Sequence, residues 1–169
     1  MKGWLLDTNV LSELRKPRAN RAVVEFVETQ PGALLFVSDV AFAEIRYGVG
    51  QIADPSRRQE VQAWLDGVLR PLFVGRTLAI GEDVILRWKT MVVEGQKRGH
   101  TFGQPDLFIA ASAALLDLVV VSRDVTHFVA AGVPTLEPWT SQLHWRGKVH
   151  ALDLPVSAPA VAALLGKRP

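Results

Sequence analysis

The chain has 169 residues, 49% hydrophobic and 21% charged, which suits one domain with a substantial core and argues against disorder. Its net charge of +2 permits a nucleic-acid partner without demanding one. The lack of cysteine excludes disulfides, zinc–thiolate sites and thiol catalysis, and fits a cytoplasmic location.

No apolar run approaches the roughly 20 residues of a membrane span, and Asp7 interrupts the N-terminal apolar stretch, so neither membrane insertion nor a signal peptide is expected. Apolar runs alternate with segments of 3.6-residue period, which predicts an α/β fold with a parallel sheet. The first strand is Gly3–Asp7. A short helix follows from about Asn9 and stops near Pro17. Arg21–Thr29 reads as a second helix, with Ala22, Val23, Phe26 and Val27 on one face. Ala33–Ser38 is a buried strand, and Ser38 or Asp39 caps a helix running to about Val49. Ser56–Leu69 is helical, and Phe73–Ile80 contains a third strand. Glu82–Gly95 is a helix, followed by a polar loop over Gly95–Gln104 that carries Lys97, Arg98 and His100. Pro105 suits the first turn of a helix that runs to Leu116. Leu118–Ser122 is the fourth strand, Val125–Ala131 a short helix and Val133–Leu136 a short final strand. Beyond Thr140 the pattern weakens. Ala160–Leu165 reads as one or two helical turns, and Gly166–Pro169 is expected to fray.

Four acids stand at or near the points where a strand gives way to a helix: Asp7, Glu44, Asp106 and Asp124. Functional groups of an open parallel sheet collect outside the carboxyl ends of its strands. Carboxylates gathered there repel one another unless a cation or proton intervenes, and hard oxygen ligands suit Mg²⁺ or Mn²⁺. The pattern reads as a metal-dependent phosphodiesterase site.

Each acid also has a structural explanation. Asp7, Thr8 and Asn9 are all good helix caps. Asn9 stands where haloacid-dehalogenase phosphatases need a second Asp, which argues against that class. Glu44 could be an ordinary exposed helical glutamate. Asp106 could complement a helix dipole and Asp124 could cap the helix after it. Arg15, Lys16, Arg46 and Arg123 lie near the acids in sequence and could touch phosphates or be solvated surface charges. His127 and His144 read as structural. No nucleophile elbow or Gly-rich phosphate loop is present.

Four segments in this order resemble the PIN-domain ribonucleases, specifically the VapC-type toxins of type II toxin–antitoxin systems. They are Leu5-Leu6-Asp7-Thr8-Asn9-Val10-Leu11-Ser12-Glu13-Leu14, Ala43-Glu44-Ile45-Arg46-Tyr47-Gly48, Pro105-Asp106-Leu107-Phe108-Ile109-Ala110-Ala111 and Ser122-Arg123-Asp124-Val125-Thr126-His127-Phe128. The likeness covers roughly Gly3 to Trp139. It divides the chain into a nuclease domain over 1–139 and a C-terminal extension over 140–169 of unassigned role. Relatives often carry Asn at the position of Asp124, so the aspartate here keeps a fourth acid available.

The resemblance implies a five-stranded parallel sheet flanked by helices, a homodimer, Mg²⁺- or Mn²⁺-dependent cleavage of RNA, and a small antitoxin that covers the acidic site. On this reading Asp7, Glu44 and Asp106 hold the metal and Asp124 supports it or a second ion. Thr8, Asn9 and Ser122 support the site, the two hydroxyls by orienting a carboxylate or water, and Arg46 pairs with an acid or meets the antitoxin. Two rival readings are a non-catalytic PIN-like module that binds RNA or protein, and a Mg²⁺-dependent small-molecule phosphatase.

Overall fold

Strands β1 (Gly3–Leu6) and β4 (Leu118–Val121) are buried at every position. Strands that read as unbroken apolar runs belong to a parallel sheet covered on both faces. That is their situation in this structure, a computed structural model that describes residues 1–166. The sheet order is β3-β2-β1-β4-β5-β6-β7, where β2 is Leu35–Ser38, β3 Thr77–Leu78, β5 Thr135–Glu137, β6 Gln142–Trp145 and β7 Lys148–Ala151. Strands β1 to β5 are parallel. Between β1 and β2 lie α1 (Thr8–Leu14) and α2 (Arg21–Thr29). The β2–β3 crossover contains α3 (Asp39–Gly50), α4 (Pro55–Trp64), a π-helical turn (Leu65–Leu69) and α5 (Arg70–Leu72). Helices α6 (Glu82–Lys97) and α7 (Gln104–Leu116) join β3 to β4, and α8 (Val125–Ala130) joins β4 to β5.

Alternate side chains of the central strands feed two cores, as the two-residue period of a strand requires. Trp4, Leu6, Val119 and Val121 pack with Leu11, Phe26 and Phe42 on one face. Leu5 and Val120 pack with Met91, Leu107, Ile109 and Phe128 on the other. The chain winds one way from β1 to β2 and β3, then returns to place β4 on the other side of β1. The carboxyl ends of β1 and β4 therefore form the switch point where such sheets open a crevice.

The sheet is wider than the expected five strands. β6 and β7 add an antiparallel hairpin to β5. Its two-residue turn, Arg146-Gly147, has positive φ at both positions (50° and 73°), the geometry whose twist matches paired strands. The strand expected at Val133–Leu136 lies later, at Thr135–Glu137, and is not the last. The segment expected to be helical over Ser56–Leu69 is α-helical only to Trp64. Helix α9 (Ala158–Gly166) is longer than one or two turns; of the end expected to fray, 167–169 lie outside the described residues. Leu143, Val156 and Val161 from this C-terminal part share a core with Trp4 and Leu6.

Gln30 joins that part to the sheet. The buried Trp4 indole donates to Gln30 Oε1 at 3.0 Å, and Gln30 Nε2 donates to the Val156 carbonyl at 2.8 Å. Gln30→Leu strands both partners in the interior and is expected to cost about 2–4 kcal/mol. Urea unfolding reads this directly; an unchanged midpoint and slope would contradict it.

Candidate active site

The four acids arrive at the switch point from four different elements. Asp7 ends β1 and caps α1, Glu44 sits in the second turn of α3, Asp106 in the first turn of α7 and Asp124 at the start of α8. Asp7 is buried, with 4% exposure. Its Oδ1 accepts from the Thr8 backbone N–H at 2.7 Å. Its Oδ2 accepts from Ser122 Oγ at 2.6 Å and from Asn9 Nδ2 at 2.7 Å. Asp7 therefore caps α1 through Oδ1 while Oδ2 ties it to Ser122 and Asn9.

Ser122 holds the two central strand ends together. Its hydroxyl donates to Asp7 and accepts from Asn9 Nδ2 and the Asp124 N–H, both at 2.9 Å. One donor and two acceptor positions exhaust a hydroxyl. Asn9 completes the lattice, because its Oδ1 accepts from the Arg123 N–H at 3.2 Å. Thr8 faces the other way and donates to Glu44 Oε2 at 2.5 Å.

Asp106 is placed by what precedes it. Helix α6 ends with Gly99 at φ 71°, the Gly99 N–H bonding the Gln96 carbonyl and the His100 N–H bonding the Gly95 carbonyl. This pair of bonds is a Schellman cap. Phe102 then lies so close over Gly95 that a Cβ there would clash with its ring. The loop is pinned to α6 just ahead of Gln104, and Asp106 follows in the first turn of α7.

Asp124 occupies the N-cap position of α8, yet its side chain makes no cap hydrogen bond. The capping explanation therefore fails for this acid. Its carboxylate instead lies with Asp106 and His127, one donor atom of each falling within 4.8 Å of the others. The sequence reading took His127 as structural and did not place it beside these acids, where the structure brings it. The i,i+3 spacing from Asp124 was the available signal. Arg46 is exposed and forms no ion pair with an acid among the described residues. Two positions from Glu44 on a helix is a rotation of about 200°, and Arg46 lines a separate cleft with Asp39, Tyr47 and Arg70.

The electrostatics follow from this crowding. Burial lifts the Asp7 carboxyl from its ordinary 3.8 to about 6, against the pull of the Ser122 and Thr8 hydrogen bonds. The charges of Asp106 and Glu44 push it further in the same direction. Burial also raises Asp106, with His127 opposing the rise and Asp124 adding to it. Two carboxyls that resist ionisation, Asp7 and Asp106, are groups that a hard divalent cation can satisfy.

A family model for the PIN domain matches residues 4–132. The chain belongs to the PIN-domain family. Within it, the chain is 33% identical to VapC ribonuclease Y4jK of Sinorhizobium fredii over 80% of its own length and 96% of the relative's. The crystal structure of FitAcB from Neisseria gonorrhoeae superposes with a TM-score of 0.77 at 32% identity, covering 80% of this chain and 98% of that one. A member of the VapBC family of toxin–antitoxin systems from Mycobacterium tuberculosis superposes at 0.55 with 25% identity, covering 77% and 90%. The matched PIN region holds all four acids, and none lies in the β6–β7 hairpin or α9.

The Asp7 shift makes this PIN domain's stability depend on pH. The folded state holds the proton more tightly than the unfolded chain does. The stabilisation is complete below about 3.8 and is lost as pH rises through about 6. Between those limits the metal-free protein is expected to lose roughly 3 kcal/mol relative to Asp7→Asn, which does not titrate there. Urea unfolding of both proteins in chelator from pH 4 to 7.5 measures the difference. A gap between them that does not change with pH would contradict the assignment.

Proposed function

We propose that this chain is a metal-dependent endoribonuclease and the toxin of a toxin–antitoxin pair. The observation that carries the reading is Asp7, buried beside other acids at the switch point and driven up to about 6. A protein that used these side chains only as caps would have no reason to crowd them. The ribonuclease relative and the toxin–antitoxin structures with the same fold support the substrate class and the biological role.

Asp7, Glu44 and Asp106 would hold Mg²⁺ or Mn²⁺, with Asp124 beside them. The ion, when bound, supplies Lewis-acid polarisation of a phosphoryl oxygen and a water made acidic enough to attack. The chain's own contribution is orientation. Both acceptor positions of Asp7 Oδ2 are taken by Ser122 and Asn9, while Oδ1 accepts only from Thr8. Asp7 is thereby fixed with one oxygen position free. Thr8 does the same for Glu44, engaging Oε2 and leaving Oε1. Such pre-set carboxylates need no reorganisation as charge develops on the phosphate.

The proposal includes two protein contacts. Ile85, Leu86 and Val93 on α6, with Leu115 and Leu116 on α7, are exposed apolar side chains that suit burial in a homodimer. An antitoxin would cover the acids with a basic side chain, since a guanidinium satisfies two carboxylate oxygens and competes with a cation. The exposed Tyr47, beside Arg46 and Arg70, offers such a partner further surface.

The test is cleavage of labelled RNA by purified protein with and without Mg²⁺ or Mn²⁺. Asp106→Asn keeps the shape and removes the charge, and is expected to lower the rate at least roughly 100-fold. Retained activity in a preparation free of other nucleases would overturn the site assignment. Metal-supplied wild-type protein that binds RNA without cutting it would favour the binding-module reading.

A further inference from the structure

We propose that His127 supplies a nitrogen ligand beside Asp106 and Asp124, so that the site has a mixed nitrogen–oxygen donor set and prefers a first-row transition ion such as Mn²⁺ over Mg²⁺. This rests on the reading of the acids as a metal site.

The spacing is that of ligands around an ion, not of a hydrogen-bonded pair. His127 Nε2 lies 3.8 Å from Asp124 Oδ2, beyond hydrogen-bonding range. Two ligands each about 2.1 Å from one cation are at most roughly 4.2 Å apart. The 3.8 Å gap falls inside that span. The three donor atoms lie within 4.8 Å of one another and would draw in by up to roughly 1 Å to share one ion at about 2.1 Å.

The imidazole's charged neighbours are Asp124, 3.8 Å from Nε2, and Asp106. Nδ1 is buried and has no hydrogen-bond partner among the described residues. Its aromatic neighbour is His100, 6.5 Å between ring centroids, whose Nε2 is also buried without a partner. A structural histidine would satisfy at least one ring nitrogen through a carbonyl or carboxylate. On α8, Asp124 forgoes its cap bond and His127 sits three residues on, so both project from one face. The two departures from ordinary helix-start chemistry meet at one place, opposite Asp106.

The donor type sets the metal preference. Mg²⁺ takes oxygen ligands in near-ideal octahedral geometry and gives up its waters reluctantly. Imidazole is a softer donor that suits transition ions. Asp7 and Glu44 alone would leave an all-oxygen site with no such bias. His127 adds the one nitrogen that creates it.

The full chain loaded with Mn²⁺ alone provides the test. A continuous-wave electron paramagnetic resonance titration counts bound Mn²⁺, and pulsed measurements detect ¹⁴N coupled to it. Wild-type protein is expected to show the modulation of a coordinated imidazole, altered by ¹⁵N-histidine labelling without any mutation. The signal should vanish in His127→Gln and persist in His100→Gln. His127→Gln should weaken Mn²⁺ about ten-fold, and Mg²⁺, read by competition, by less than about two-fold. Bound Mn²⁺ without a nitrogen signal, or a signal that survives His127→Gln, would overturn the proposal while leaving a metal site of carboxylates. Wild-type protein that binds no Mn²⁺ would overturn both.

Discussion

Ser122 Oγ, at the end of β4, donates to the carboxylate at the end of β1 and accepts from Asn9 and from the backbone of Asp124. This hydroxyl links the two strands that border the switch point and uses every bond it can form. The sheet brings the strand ends together; Ser122 decides how Asp7 and the first turn of α8 are presented. Fixing these groups in the fold removes the ordering cost that a mobile set of ligands would meet on binding.

The same lattice explains why a buried carboxylate is tolerated. A polar group removed from water is costly unless hydrogen-bonded, and a charge more so. Asp7 receives three hydrogen bonds, which favour its charged form, yet burial and the neighbouring acids outweigh them and its pKa rises to about 6. The fold therefore holds Asp7 in place while leaving its charge incompletely compensated. Gln30 and the Val156 carbonyl provide a contrast beside Trp4, on the face of β1 that packs with Leu6. There a buried polar group is fully matched, and its work is to hold the C-terminal part against the sheet.

What could be read from the sequence divides along physical lines. The central strands were legible because Trp4-Leu5-Leu6 and Leu118-Val119-Val120-Val121 are unbroken apolar runs that end at polar residues. The bounds of α2 were legible from its one-sided apolar face, and the structure adds a cap at Asn20, whose Oδ1 accepts from the Ala22 and Val23 N–H groups. The β6–β7 hairpin was not, because Leu143 is its one fully buried side chain and Arg146-Gly147 is a weak turn signal. His127 was set aside because a histidine's role depends on what the fold places near it. Asp124 is close in sequence, but Asp106 reaches it only through the packing of α7 against β4 and α8. For Arg46, one of its two readings, pairing with an acid, is not seen among the described residues, while contact with a partner stays open. Nearness to Glu44 in sequence suggested a shared site, but the helix turns the two side chains apart.

Burial and neighbouring acids push the carboxyls of Asp7 and Asp106 up, and on the proposed function a divalent cation would relieve them. Scanning calorimetry of the chelator-treated protein at pH 7.5, with and without millimolar Mg²⁺ or Mn²⁺, tests it most directly. A cation that binds only the folded state at 10- to 100-fold above its Kd would add about 1.4–2.7 kcal/mol and raise Tm by roughly 5 °C. Asp7→Asn should shrink that rise. A wild-type Tm that neither ion moves would contradict the account.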